Sequence, residues 1–132
     1  MERTIDLDQA AAAITTRARR WRSAGLRAGH LTWRDGAAPW PPQLETDRAL
    51  VRDPDSTGVL ISGPADAELS VVLFRGGWAD VNFSNGLADA GTLPAADIAS
   101  AAAFAGQLDQ WVLHVFGSDF AARLGGMGDQ VP

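Results

Sequence analysis

The stretch Asp53-Pro54-Asp55-Ser56-Thr57, following the apolar Ala49-Leu50-Val51, places two aspartates and a threonine in the pattern Asp-x-Asp-x-Thr. That spacing suits phosphoryl transfer, with the first carboxylate attacking phosphorus and the second moving the proton. Such chemistry also needs a parallel sheet with crossover helices and, as a rule, a lysine on the phosphate. This chain has no lysine, since all 11 of its basic residues are arginine. The same stretch opens like a calcium loop, with Asp53, Asp55, Thr57 and Gly58 at positions 1, 3, 5 and 6, but position 12 is Pro64 where a bidentate carboxylate is required. A tight turn between strands is the better reading.

Other catalytic constellations fail on residue supply. There is no cysteine and no tyrosine, and His30 and His114 are the only imidazoles. Neither histidine has a His-x-x-x-His or Glu-x-x-His partner, so a three-ligand zinc site is not expected. His114 reads as a helix-surface or partly buried residue. Gly126-x-Gly128 follows no strand and is not a dinucleotide fingerprint, and no Gly-x-Ser-x-Gly elbow occurs. The expectation is a protein without catalytic residues, metal or cofactor.

The elements that must position any site come from a chain of 132 residues, the length of a single domain spanning 1–132. Sixteen acids against 11 arginines give a net charge of −5, which speaks against a nucleic-acid partner. The charge is uneven: residues 1–52 carry nine arginines and six acids, residues 53–132 two arginines and ten acids. An acidic half of this kind can attract a basic partner. The start, Met1-Glu2-Arg3-Thr4-Ile5-Asp6, lacks the features of a signal peptide, and no apolar stretch is long enough to span a membrane. A cytoplasmic protein with no membrane association is expected.

Leu7, Ala11, Ile14, Ala18, Trp21 and Gly25 recur at helical spacing and predict an amphipathic helix over 7–25, capped by Asp6 or Asp8 and ended by Gly25 or Gly29. Arg17, Arg19, Arg20 and Arg22 crowd its last turns, where positive charge complements the helix dipole. A second stripe, Ile98, Ala101, Ala105, Leu108, Val112 and Val115, predicts a helix over 96–116, with Ser100 as cap if it starts late and Gly117 as its stop. One further turn to Leu124 and a frayed tail over 125–132 follow. Between the helices, strands are expected at 30–34, 48–52, 58–62, 68–75 and 78–83, with Trp33 and Trp40 folded back on the core. An exposed Trp40-Pro41-Pro42 would instead be a recognition loop. The fold expected is α+β: an antiparallel meander of four to five strands with the N- and C-terminal helices packed on one face.

Gly76-Gly77 reads as a two-residue hairpin turn, because glycine takes positive φ at both loop positions. Arg75 then pairs with Trp78, Leu73 with Asp80 and Val71 with Asn82. One face carries Leu69, Val71, Leu73, Arg75, Trp78, Asp80 and Asn82, and the face against the helices carries Val72, Phe74, Ala79, Val81 and Phe83. A longer loop exchanges these faces. Asp80 and Asn82 are disfavoured strand residues and need a reason. A solvated face with Trp78 stacked on Arg75 is one; a contact surface is the other, with Trp78 as apolar anchor and Asp66, Glu68, Asp80 and Asp89 speeding encounter with a cationic partner.

Gly76-Gly77-Trp78-Ala79-Asp80-Val81, preceded by Val71-Val72-Leu73-Phe74 and followed by the 87–93 loop and the Phe104–Phe116 helix, resembles small actinobacterial immunity proteins of polymorphic toxin systems. The resemblance covers residues 56–117 and implies a single-domain, cytoplasmic, acidic inhibitor that occludes a cognate secreted toxin. It carries no binding motif. The partner-binding residues expected from the strand argument are Asp66, Glu68, Arg75, Trp78, Asp80, Asn82 and Asp89. The alternative is a small-ligand-binding or accessory domain with a cleft between sheet and helices near His30, Trp33 and Trp40.

Overall fold

The computed structural model describes residues 5–85 and 89–128, with side chains described as far as Gly117. Its order is helix α1 (Leu7–Ser23), strands β1 (Arg27–Ala28), β2 (Thr32–Asp35), β3 (Leu44–Glu45), β4 (Pro54–Ser62), β5 (Ala67–Phe74), β6 (Trp78–Asn85) and β7 (Ala90–Thr92), then helix α2 (Ala101–Gly128). All seven strands form one antiparallel sheet, ordered β3-β2-β4-β5-β6-β7, with β1 also paired to β4. This is the expected α+β architecture with more strands, because short edge segments join a meander core.

Both helices begin where the sequence places a cap. The Asp6 carboxylate accepts hydrogen bonds from the backbone N–H groups of Asp8 and Gln9, and the Ser100 hydroxyl accepts from Ala103 N–H. Each satisfies donors that have no partner inside the helix. Gly25 follows α1 with φ +94°, and Gly117 interrupts α2 with φ +84°, conformations that suit a residue without Cβ. Helical backbone resumes past Gly117 and runs to Gly128, four residues beyond Leu124, while 129–132 lie outside the described residues.

Leu7, Ala10, Ala11, Ile14, Ala18 and Trp21 of α1 and Phe104, Leu108, Trp111, Val112 and Val115 of α2 are buried on one face of the sheet. They meet Val59 and Ile61 of β4, Leu69, Val71 and Leu73 of β5, and Ala79 and Val81 of β6 in a single core. Burying these apolar side chains, at ~1.5–3 kcal/mol for each large one, holds the two layers together. Gly63 lets the layers close at one end of the sheet: a Cβ there would lie 2.8 Å from Phe116 and 2.9 Å from Leu26.

Three local expectations are corrected. The 53–57 segment is no turn: Pro54–Ser62 is one nine-residue strand. Two of its buried polar side chains have partners: Asp55 accepts from Arg34, and the Thr57 hydroxyl donates to the carbonyl of Thr32. Residues 48–52, expected as a strand, contain a 3-10 turn at Arg48–Leu50 whose Asp47 side chain accepts from Ala49 N–H. Finally, the turn after β5 has three residues, Arg75-Gly76-Gly77, so Phe74 pairs with Trp78, Val72 with Asp80, Val71 with Val81 and Ser70 with Asn82. That one-residue difference puts Leu69, Val71 and Leu73 in the core, while Val72 and Phe74 join Trp78, Asp80 and Asn82 on the outer face.

Asp35 fastens the bulged end of β2 to the chain before β4. Its carboxylate accepts from the N–H groups of Ala37, Arg52 and Asp53 at 2.9–3.0 Å. Those three bonds, the one from Arg52 foremost, hold its pKa below the ordinary carboxylate value.

Two outcomes follow from this packing. Leu73→Ala should cost ~2–5 kcal/mol in urea unfolding, whereas Val72→Ala should cost under about 1 kcal/mol; the two-residue turn reverses that order. Asp35→Asn should lower the thermal midpoint at neutral pH. Because the folded-state pKa is depressed, this advantage of the wild type is full above the unfolded carboxylate value of about 3.8 and disappears as pH falls through the lower folded value. A pH series of thermal melts on both proteins checks this.

Candidate functional site

The side of the sheet away from the helices is built by strand pairing in transverse rows. The first row is Leu44, Arg34, Ser56, Phe74 and Trp78; the next is Thr32, Gly58, Val72 and Asp80; then come Leu60, Ser70, Asn82 and Thr92; the last is Arg27, Ser62, Glu68, Ser84 and Ala90. Adjacent strands lie ~4.8 Å apart, so side chains within a row are neighbours.

In the first row three planar groups stand against one another. The Phe74 and Trp78 rings stack with centroids 5.2 Å apart and planes 13° from parallel. On the other side of Phe74 the Arg34 guanidinium carbon lies 5.3 Å from the ring centroid. Small, buried Ser56 lies between Arg34 and Phe74 in the sheet and lets them meet above it. The β-bulge between Arg34 and Asp35 brings Asp55 within reach of the guanidinium. Asp55 accepts two hydrogen bonds from it, at 2.7 Å from Nε and 2.8 Å from Nη2. These bonds raise the Arg34 pKa, against the opposing effect of burial. The result is a column, Asp55–Arg34–Phe74–Trp78, whose charge is balanced at one end and whose other end is a 40% exposed indole.

Trp78, Asp80, Asn82 and Glu68 are all exposed on this face, as the contact-surface expectation requires of them. Asp66 stands exposed in the turn leading into β5, with a left-handed backbone at φ +60°. Asp89 is exposed just before β7, beside the Glu68 end of the sheet, where its carbonyl accepts from Asn85 N–H. Arg75 is not on the face. It occupies the turn, with Nη1 donating to Asp53 at 2.8 Å, so the indole stacks on Phe74 in its place. Residues 87 and 88 of the expected 87–93 loop lie outside the described residues, and its Ala90–Thr92 stretch is not loop but strand β7, paired with β6.

Asp53 and Asp55, the aspartates of the phosphoryl-transfer spacing, are each paired to an arginine, Arg75 and Arg34 respectively. Arg17 is likewise paired to Asp109, and Arg48 to Asp8. The carboxylates of Asp66, Glu68, Asp80 and Asp97, by contrast, have no ion-pair partner among the described residues. Against these acids the rows carry, among the described residues, one cation without an ion-pair partner, exposed Arg27, so the charge left over on this face is still negative. No group of three or more His, Cys, Asp or Glu able to hold a metal occurs among the described residues.

Of the residues expected to line a cleft, Trp33 is buried at 4% exposure beneath the Arg48 guanidinium, while Trp40 is 86% exposed. Trp40 therefore does not fold back on the core, and the two indoles share no wall. A groove of about 810 Å³ opens elsewhere, between Leu93–Ile98 and the Gln107, Gln110, Trp111 and His114 side of α2. Sequence reasoning missed Arg34 and Phe74; the signal lay in the parity of β5, which no local pattern reveals.

The chain matches no protein-family model, and it has no match among curated proteins or solved structures. No helix among the described residues is long and apolar enough to cross a membrane.

The column is held from its charged end. Asp55→Ala should cost about 1–3 kcal/mol, as expected for hydrogen bonds to a charged group. Arg34→Lys should recover little, because an ammonium cannot match both carboxylate oxygens or lie flat on a ring. Denaturant unfolding, with the Trp78 indole N–H resonance followed in parallel, measures both.

Proposed function

We propose that this protein is an immunity-type inhibitor that binds a cognate toxin domain through the outer face of its sheet and acts by occlusion, without cofactor or catalysis. The single observation that carries the reading is the combination of an exposed, braced indole with unpaired carboxylates on one uncovered sheet face. An interface needs an anchor that loses little freedom on binding; Trp78 is already ordered by Phe74, so less entropy is lost when a partner covers it. Asp80 and Asn82 follow it along β6, and Glu68, Asp66 and Asp89 extend the negative field to the far end of the sheet. Such a field attracts a basic protein surface and accelerates encounter. The resemblance of residues 56–117 to immunity proteins supports the same class of partner and a cytoplasmic site of action.

Co-expression with the protein encoded beside this one tests the proposal. A stoichiometric complex is expected, with association slowing as salt rises. Trp78→Ala and Asp80→Arg should each weaken it at least tenfold, or about 1.4 kcal/mol. Gln110→Ala, on the helical side, should leave affinity within about twofold, as for a residue outside the interface. Absence of a complex, or full affinity in both sheet-face variants, overturns the assignment.

A further inference from the structure

The column of planar groups is occupied at one end and open at the other. Phe74, from β5, covers one side of the Trp78 indole. On the opposite flank, residues 93–98 run beside β6, joined to it by hydrogen bonds from Leu93 N–H to Val81, from Ala79 N–H to Ala95 and from Ile98 N–H to Gly77. Between that segment and the indole lies a recess of about 530 Å³ lined by Gly76, Gly77, Trp78, Ala96, Asp97, Ile98 and Ala99. Gly76 and Gly77 add no side chain to its lining, and the Trp78 ring packs against Gly76. Its one charged group is the Asp97 carboxylate, exposed and without an ion-pair partner among the described residues.

We infer that this recess is a slot for a guanidinium group, filled by an arginine side chain from the surface of the protein partner. The chemistry is the one the molecule already uses at the other end of the column. There, Arg34 lies on the face of Phe74 while Asp55 grips it with both oxygens. Trp78 and Asp97 offer the same two recognition elements, an aromatic face and a carboxylate, with the cation missing. Indole is the strongest of the aromatic partners for a cation. A planar guanidinium both stacks on it and donates two hydrogen bonds to one carboxylate; a lysine ammonium does neither as well. The negative surplus on the adjoining face favours a basic partner over an acidic one. The inference rests on the docking face proposed above and names the chemistry of one contact within it.

Arginine amide is the probe, titrated into the isotope-labelled protein while backbone amides and the Trp78 indole N–H are followed by NMR. Saturable shifts confined to Gly76, Gly77, Trp78 and Asp97–Ala99 are expected. Binding should be at least fivefold weaker for lysine amide and lost for citrulline amide, which keeps the shape without the charge. Asp97→Asn should weaken arginine amide at least fivefold, and Glu45→Gln, in β3 and away from the recess, should leave it unchanged. Trp78→Phe, which keeps the stack on Phe74, should bind more weakly than wild type yet still saturate. Equal binding of citrulline amide, shifts that do not saturate, or an unaltered Asp97→Asn variant overturns the slot. The two proposals fail separately. If the neighbour-encoded protein binds and Asp80→Arg weakens it while Asp97→Asn does not, the slot is wrong and the docking face stands. If arginine amide saturates the recess but that protein does not bind, the toxin-inhibitor reading falls and the slot stands.

Discussion

The turn between β5 and β6 governs everything that faces outward. Strand side chains alternate with a period of two, so the number of residues in that turn decides which half of β5 meets the helices. Three residues, Arg75-Gly76-Gly77, close it: Gly77 N–H donates to the carbonyl of Phe74, with Gly77 at φ +99°. The turn is pinned from outside as well. Arg75 N–H donates to the carbonyl of Asp55, the Arg75 carbonyl accepts from Ile5 N–H, and the guanidinium reaches Asp53. Gly76 has no side chain because the Trp78 indole lies where its Cβ would be. Backbone, charge and aromatic contacts thus all select one register.

That register sorts the charges. Arginines that lie near aspartates in the fold are consumed in ion pairs, while the acids of β5, β6 and the segments around them are left to solvent. Exposed pairs such as Arg17–Asp109 and Arg48–Asp8 contribute little to stability. Each joins one cation to one anion, so the net charge is unchanged and the surplus on the sheet face is set by the unpaired Glu68 and Asp80. The stack from Arg34 to Trp78 adds order to that face. An aromatic group braced on both backbone and neighbour is a better anchor than one free to rotate, because less is lost on binding.

The helices were legible because their signals are local. Apolar spacing, Asp6 and Ser100 at the caps, and glycine at the ends all act within a turn or two of chain. The hairpin at Gly76-Gly77 was legible as a place but not as a length. β5 reads Leu69, Val71 and Leu73 on one side and Val72 and Phe74 on the other, apolar on both, so alternation does not say which side is buried. The segment Asp53 to Thr57 misled for a related reason. Its residues favour turns in isolation, yet Asp55 and Thr57 become strand residues once Arg34 and Thr32, 21 and 25 residues away, satisfy them. Trp40, at 86% exposure, differs from the expectation because apolar character alone does not decide burial.

By itself the sequence determined the two helices and their caps, the α+β class and the residues absent from any chemistry: no lysine, no cysteine, no tyrosine. These depend on composition and on contacts a few residues apart. Only the tertiary structure decided that Arg75 leaves the outer face, that Phe74 and Arg34 enter it, and which carboxylates remain unpaired. Those outcomes turn on pairings between distant strands, where a single added residue reverses every side chain, and no local pattern carries that information.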